Sequence, residues 1–147
     1  ERTLNEMAKS FGELADYAQP HGIRLVLEPI TVNQTNFINT TQDGIEMVDR
    51  VGRENFGLML DVYHMNIEDD DIYESIRQAG ARCWFCHFTD NNRKYPGSAH
   101  LDFKRIVESL EEIGYDGYVS MEILPWPDPD TAARSAISHV RQFISNS

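Results

Sequence analysis

Apolar residues along the chain recur with two different periods. A spacing of three to four residues, typical of one face of a helix, is present over residues 4–19 and again over 102–113. Between the helical stretches lie short continuous apolar runs, which are typical of strands buried on both faces of a sheet. The predicted strands begin near Arg24, Gly57, Cys83 and Tyr118, and their spacing of roughly 25 to 35 residues is that of βα units.

Helical segments alternate with these strands. Further helices are predicted at 44–51, where Thr41 or Asp43 is the candidate N-cap, at the run EDDDIYESIRQAG, and at 131–144. The order α-βα-βα-βα-βα predicts a parallel sheet covered by helices. We therefore expect residues 1–147 to form a single α/β domain.

Each predicted strand ends in a residue that binds metals. The runs LVLE, LMLD, WFCH and VSME place such a side chain last, and these side chains are Glu28, Asp61, His87 and Glu122. Glu, Asp and His are uncommon in strands, so four such endings out of four are not expected by chance. The carboxyl ends of parallel strands meet at one edge of the sheet, where sites are built. The pattern predicts that the four side chains converge on a cation.

The composition of this set indicates which cation. Three carboxylates and one imidazole make an oxygen-rich site, which suits Mn²⁺, Mg²⁺ or Co²⁺ better than a cysteine-rich zinc site does. His64, three residues beyond Asp61, and Arg93, in the loop after the next strand, are predicted to face a substrate from loops and to hold its oxygens. Asp90 is a candidate for bracing His87 or Arg93.

Charge and hydropathy limit the classes of partner that the chain is expected to bind. A formal net charge of −11 disfavours nucleic acid and anionic membranes, because binding to phosphate relies on Lys and Arg. No apolar run approaches the roughly 18 residues that span a bilayer, and no signal peptide is visible, which favours a cytoplasmic protein. A small neutral substrate and a divalent cation remain compatible with this charge.

Cys83 and Cys86 form a C-x-x-C motif, which is typical of redox and zinc sites. Residues three apart on a regular strand face opposite sides of the sheet. The sequence therefore favours two small buried residues that do not meet.

Four segments together resemble the xylose isomerase-like TIM barrels, in particular the sugar isomerase and epimerase branch typified by D-tagatose and D-psicose 3-epimerases. The segments are LEP at 27–29, MLDVYHMNIE at 59–68, HFTDNNRKYPG at 87–97 and GYDGYVSMEIL at 114–124. Such a barrel has eight βα units in roughly 250 to 300 residues. The resemblance therefore implies that this chain holds strands 5–8, the C-terminal half of a barrel.

The resemblance also implies an activity. The protein would be a metal-dependent isomerase that acts on a ketose or a related polyol ketone through a metal-held cis-enediolate. Glu28 and Glu122 would be its acid/base pair as well as metal ligands with Asp61 and His87, and Mn²⁺ is favoured over Co²⁺ and Mg²⁺. His64 and Arg93 would bind substrate oxygens beside the carbonyl.

Other interpretations stay open. One is a keto-inositol or shikimate-type dehydratase of the same superfamily, and another is a catalytically inactive half-barrel fragment. An abasic-site endonuclease of the same fold would need more histidines and a basic face. Gln34 stands where such epimerases usually carry a second glutamate, and the loop TVNQTNF lacks the arginine often found there, so the sugar is left open.

Half of a barrel would have exposed edges. Four strands without the other four leave RLVLEPI and YVSMEIL unpaired on one side, and open edges of this kind recruit partners. We therefore expect a homo-oligomer, or pairing with the missing N-terminal half, in addition to a small-molecule sugar as substrate.

Overall fold

A computed structural model describes residues 1–144, and the last three residues of the predicted domain lie outside it. Within this range the strands form a single parallel sheet in the order β1-β2-β3-β4, which confirms the predicted α/β architecture. The strands are β1 (Leu25–Leu27), β2 (Phe56–Asp61), β3 (Cys83–Phe88) and β4 (Tyr118–Met121). The helices are α1 (Arg2–Ala18), α2 (Thr41–Val51), α3 (Val62–Glu68), α4 (Ile72–Ala79), α5 (Phe103–Glu112) and α6 (Pro129–Val140).

The core lies between the two inner strands and the helices. Leu58 and Leu60 of β2 and Phe88 of β3 are almost completely buried. Gly44 of α2 allows a close approach, since a Cβ atom there would lie 2.7 Å from Pro29 and 2.9 Å from Leu58. Among the described residues, no helix is long and apolar enough to cross a membrane.

The start of α2 differs in detail from the prediction. Thr40 is the N-cap, in place of Thr41 or Asp43. The Thr40 side chain accepts a hydrogen bond of 3.1 Å from the Asp43 N–H, and the Asp43 carboxylate accepts one of 3.0 Å from the Thr40 N–H. This reciprocal pair is a capping box, so Asp43 contributes from the first turn of the helix.

Strand β1 is shorter than predicted. The apolar run from Arg24 to Ile30 forms a strand only over Leu25–Leu27. Pro29 has no N–H to donate to a neighbouring strand, and the residue before a proline is conformationally restricted. The strand therefore ends before Glu28, and that side chain starts the following loop.

The two cysteines meet, contrary to the sequence prediction. Their Sγ atoms are 3.5 Å apart, and both residues are buried with free thiols. Leu58 pairs with Cys83 whereas Met59 pairs with Phe85, so Trp84 is an extra residue in β3. This β-bulge interrupts the alternation of side chains, which places Cys83 and Cys86 on the same face. The hydrogen bond with the Cys86 thiol, together with burial, raises the pKa of the Cys83 thiol, which makes it a poor nucleophile.

Candidate active site and metal centre

The four strand-end side chains come together at the carboxyl edge of the sheet. Asp61 is the last residue of β2 and His87 is the last but one of β3, and the two are paired in register. Glu28 and Glu122 are the first residues after β1 and β4. One ligand atom from each residue lies within 4.8 Å of the others. The predicted convergence is therefore present in the fold.

Several polar atoms of this cluster have no partner. Oε1 of Glu28, Oδ2 of Asp61 and Nδ1 of His87 are buried and accept or donate no hydrogen bond among residues 1–144. Nδ1 of His87 lies 2.7 Å from Oε2 of Glu122, yet the two groups are not aligned as a hydrogen bond. Unsatisfied buried polar atoms are costly, and a cation between them would satisfy all of them. The donor set thus fits a hard divalent ion.

The carboxylates differ in the direction of their pKa shifts. Burial raises the pKa of Asp61 to about 7. Burial also raises the pKa of Glu28, and the neighbouring carboxylate of Glu122 adds to this, against the opposing charge of His87. Burial acts in the same direction on Glu122, but the charges of Arg93 and His87 outweigh it and lower the pKa of Glu122. The environment therefore separates the two glutamates, as is typical of acid/base pairs.

Arg93 lies directly beside the cluster. Its Nη2 is 2.7 Å from Oε1 of Glu122 and 3.6 Å from Oδ2 of Asp61. Its Nη1 is 3.5 Å from Nε2 of His64, and the guanidinium lies over the Tyr63 ring at 4.5 Å from the ring centre. Arg93 therefore lies at the site, where the sequence placed it.

His64 is also at the site, but on a helix rather than in a loop. Asp61 is the N-cap of α3, because its Oδ1 accepts a hydrogen bond of 2.8 Å from the Tyr63 N–H. This cap ends the strand and starts the helix within one residue, which places His64 in the first turn. The sequence prediction missed this because the apolar run continues through Val62 and Tyr63 without a turn signal.

The ring of His64 has a fixed orientation. Its Nδ1 accepts a hydrogen bond of 3.3 Å from the Thr31 N–H, so the proton of the neutral ring is on Nε2, which faces Arg93. Burial lowers the pKa of His64, and the charge of Arg93 lowers it further. His64 is thus held neutral as a hydrogen-bond donor. No sequence signal points to Thr31, because its contribution is a backbone N–H.

The sequence also singled out Asp90 and Gln34, whose side chains are not part of the four-residue cluster. Asp90 is the candidate for bracing His87 or Arg93. Within the described chain its carboxylate accepts from backbone N–H groups of the following loop, and its carbonyl accepts from the Arg93 N–H at 2.8 Å. Gln34 is exposed in a turn, where its N–H donates to the Thr31 carbonyl at 2.8 Å.

The carboxylates and the imidazole lie at the carboxyl edge of a parallel sheet, the end at which α/β-barrel enzymes carry their active sites. The chain belongs to the xylose isomerase-like TIM barrel family, whose model matches residues 1–143. This confirms the family that the sequence motifs indicated.

The chain is also similar to individual proteins of known structure or activity. The chain is 32% identical to an L-ribulose 3-epimerase of Methylomonas sp. (strain DH-1), over 97% of this chain and 56% of that protein. A solved D-psicose 3-epimerase, crystallised in the presence of D-fructose, superposes with a TM-score of 0.87 at 30% identity, over 92% of this chain and 54% of that one. A solved IOLI protein with a bound zinc atom superposes with a TM-score of 0.79 at 28% identity, over 94% of this chain and 56% of that one. The chain thus spans about half the length of these relatives.

Proposed function

We propose that the protein carrying this chain is a divalent-metal-dependent ketose 3-epimerase. Glu28, Asp61, His87 and Glu122 hold one metal ion, with Mn²⁺ favoured over Co²⁺ and Mg²⁺. Glu28 and Glu122 also exchange a proton with the carbon beside the ketone. The convergence of the four side chains within 4.8 Å is the observation that carries the proposal.

The order of the strands supports the acid/base assignment. Because the sheet runs β1-β2-β3-β4, Glu28 and Glu122 come from its two outer strands and flank Asp61 and His87. Two carboxylates on opposite flanks can reach opposite faces of one substrate carbon, and a proton removed from one face and returned to the other inverts that carbon. In the metal-free chain the pKa of Glu28 is raised and that of Glu122 is lowered, so the two carboxylates are not equivalent.

The donors beside the glutamates support a substrate with adjacent oxygens. Nε2 of His64 and Nη1 of Arg93 are 3.5 Å apart, and both carry protons. Two donors so close together have no acceptor in each other and suit a substrate oxygen that lies between them. An oxygen there gains negative charge when the neighbouring carbon loses its proton, and both donors stabilise that charge.

The metal ion would supply Lewis-acid polarisation of the ketone and the neighbouring hydroxyl. The residues fit it because three buried atoms of the cluster otherwise lack partners. The relative with a bound zinc atom supports the metal ion, and the relatives named 3-epimerases support the activity on a ketose.

A solvent-exchange experiment tests the proposal. The full-length protein is incubated in D₂O with D-psicose or L-ribulose, with Mn²⁺ and after chelation. We expect deuterium at C3 and formation of the C3 epimer with Mn²⁺, and neither after chelation. Glu46→Gln, a change on the exposed face of α2, is the matched control and should retain full activity. A Mn²⁺-loaded protein that exchanges no ketose proton would contradict the proposal.

A further inference from the structure

Asp90 is a completely buried carboxylate that binds five backbone N–H groups. Its Oδ1 accepts from Asn91, His100 and Leu101 at 2.9, 3.2 and 3.1 Å, and its Oδ2 accepts from Gly97 and Ala99 at 3.0 and 2.9 Å. The residue is 0% exposed. A buried charge is stable only when hydrogen bonds replace its hydration, and here the loop backbone supplies all of them.

The loop that Asp90 organises carries Arg93. The Asp90 N–H donates to the Lys94 carbonyl at 2.9 Å, and the Arg93 N–H donates to the Asp90 carbonyl at 2.8 Å. This tight turn holds Arg93 at φ 60°, a left-handed conformation that a residue with a side chain rarely adopts. The Arg93 carbonyl in turn accepts a bond of 2.8 Å from the Leu124 N–H, which ties the turn to the chain beyond Glu122.

The far side of the loop is also fixed. Gly97 has φ 85°, and a Cβ atom there would lie 2.5 Å from the His139 ring. Asp90 therefore anchors both arms of the loop, one at the turn of Arg93 and the other at residues 97–101. The Arg93 side chain contacts His64 and Glu122 at the site. Asp90 makes the hydrogen bonds that fix the position of the Arg93 backbone.

We infer that Asp90 is the positioning residue for Arg93, and that it acts through the loop backbone without touching the substrate or the metal ligands. Its carboxylate fixes residues 97–101 and the Asn91 N–H against Asp90, and its main chain closes the turn of Arg93. Together these bonds hold the start of the Arg93 side chain where the guanidinium reaches His64 and Glu122. The consequence for catalysis rests on the proposed function, in which Arg93 binds a substrate oxygen.

A double-mutant cycle tests this in the full-length protein. In Asp90→Asn an amide replaces one acceptor oxygen, so an NH₂ group faces backbone N–H groups and the turn relaxes. We expect kcat/KM for the ketose to fall about a hundredfold, because a displacement of about 1 Å has this effect, while one Mn²⁺ per chain is still bound because the four proposed ligands are all kept. In an Arg93→Ala background the same substitution should cause little further loss.

Asp102→Asn is the matched control. Asp102 also accepts a backbone N–H, that of Arg105 at 3.1 Å, but it lies beyond the loop and caps α5. It should leave kcat/KM unchanged. If Asp90→Asn does not fold, Asp90→Glu retains the charge and shifts the acceptor by one methylene, and a smaller loss of the same kind is expected. Additive losses in the Arg93→Ala background would overturn the inference.

A measurement without substrate separates this inference from the proposed function. In ¹⁵N-labelled protein, the Arg93 guanidinium should give slowly exchanging side-chain signals, because it is fixed against Glu122. Asp90→Asn should abolish these signals and Asp102→Asn should keep them. Signals that persist in Asp90→Asn would refute the positioning role even in an active enzyme. If the wild-type protein processes no ketose, the proposed function fails, and the guanidinium signals alone decide the role of Asp90.

Discussion

The two inner strands of the sheet are more buried than the two outer strands, and the candidate metal-binding side chains at their ends differ in the same way. The side chains of Asp61 and His87, on β2 and β3, are 0% and 17% exposed. Those of Glu28 and Glu122, beyond β1 and β4, are 23% and 46% exposed. On the outer strand β4, Tyr118 is 82% exposed.

This difference suggests a division of work within the site. Buried side chains with few alternative conformations are suited to hold a metal ion in a fixed position, as Asp61 and His87 do in the proposal. More accessible side chains are suited to meet a substrate, which is the role proposed for Glu28 and Glu122. The same outer strands also leave apolar side chains exposed at the edges of the sheet.

The largest effect is expected from an outer ligand. Glu122→Gln keeps an oxygen that can bind the metal but cannot shuttle a proton. Turnover should therefore fall by about 10²–10⁴-fold, with a smaller loss of substrate and Mn²⁺ affinity. Deuterium exchange into a ketose, with calorimetry for binding, measures both. Unchanged exchange would remove Glu122 from the acid/base role.

A pair of apolar truncations tests the burial difference itself. Leu58 in β2 is 0% exposed, and Leu58→Ala should lower the free energy of unfolding by about 2–5 kcal/mol. Val119 in β4 is 38% exposed, and Val119→Ala should lower it by less than about 1 kcal/mol. Urea unfolding of both variants checks this. Equal losses would mean that the edge is as well packed as the centre.

The pH dependence of the metal-free protein tests the buried inner ligand. The pKa of Asp61 is raised to about 7 in the folded state, from an ordinary value of about 3.9. Its contribution to stability is therefore complete below about pH 4 and is lost as the pH rises through about 7, at no more than roughly 1.4 kcal/mol for each pH unit. Asp61→Asn should flatten this decline in thermal unfolding, since asparagine is an equally good N-cap. A decline as steep in Asp61→Asn as in the unaltered chain would exclude Asp61 as its source.

The smallest effect is expected at the sheet edges. Val26 on β1 and Tyr118 on β4 are exposed, and unpaired apolar edges associate. We expect the 147-residue chain to pair with a second copy, or with further strands of its barrel, and Val119→Lys to weaken that pairing while the fold is kept. Light scattering at micromolar concentration measures it. A stable monomer with cooperative unfolding would contradict this expectation.

The parallel sheet and the convergence of the four strand-end side chains could be predicted because both follow from local patterns. The apolar runs ending at Asp61 and His87 are readable from the sequence, and parallel strands carry their ends to one edge without further information. The resemblance to the family then indicated the type of reaction, which the spacing of the strands alone does not indicate.

The features that were missed depend on contacts between distant or irregular segments. The bulge at Trp84, which brings Cys83 and Cys86 together, is set by pairing with β2 and has no signal in the sequence of β3. Asp90 binds N–H groups as far away as Leu101. The sequence does not indicate such bonds, because every residue except proline carries a backbone N–H. His64 was placed in a loop because a single capping side chain, that of Asp61, converts a strand into a helix.

Titration of Mn²⁺ into the metal-free protein tests the central claim most directly. We expect one Mn²⁺ per chain, and an affinity about a hundredfold or more weaker in Asp61→Asn, because even loss of a partner outside the ligand shell costs roughly 10–100-fold. Glu46→Gln should bind as the unaltered protein does. No binding by the unaltered protein, or equally tight binding by Asp61→Asn, would contradict the claim that the four strand ends form one metal site.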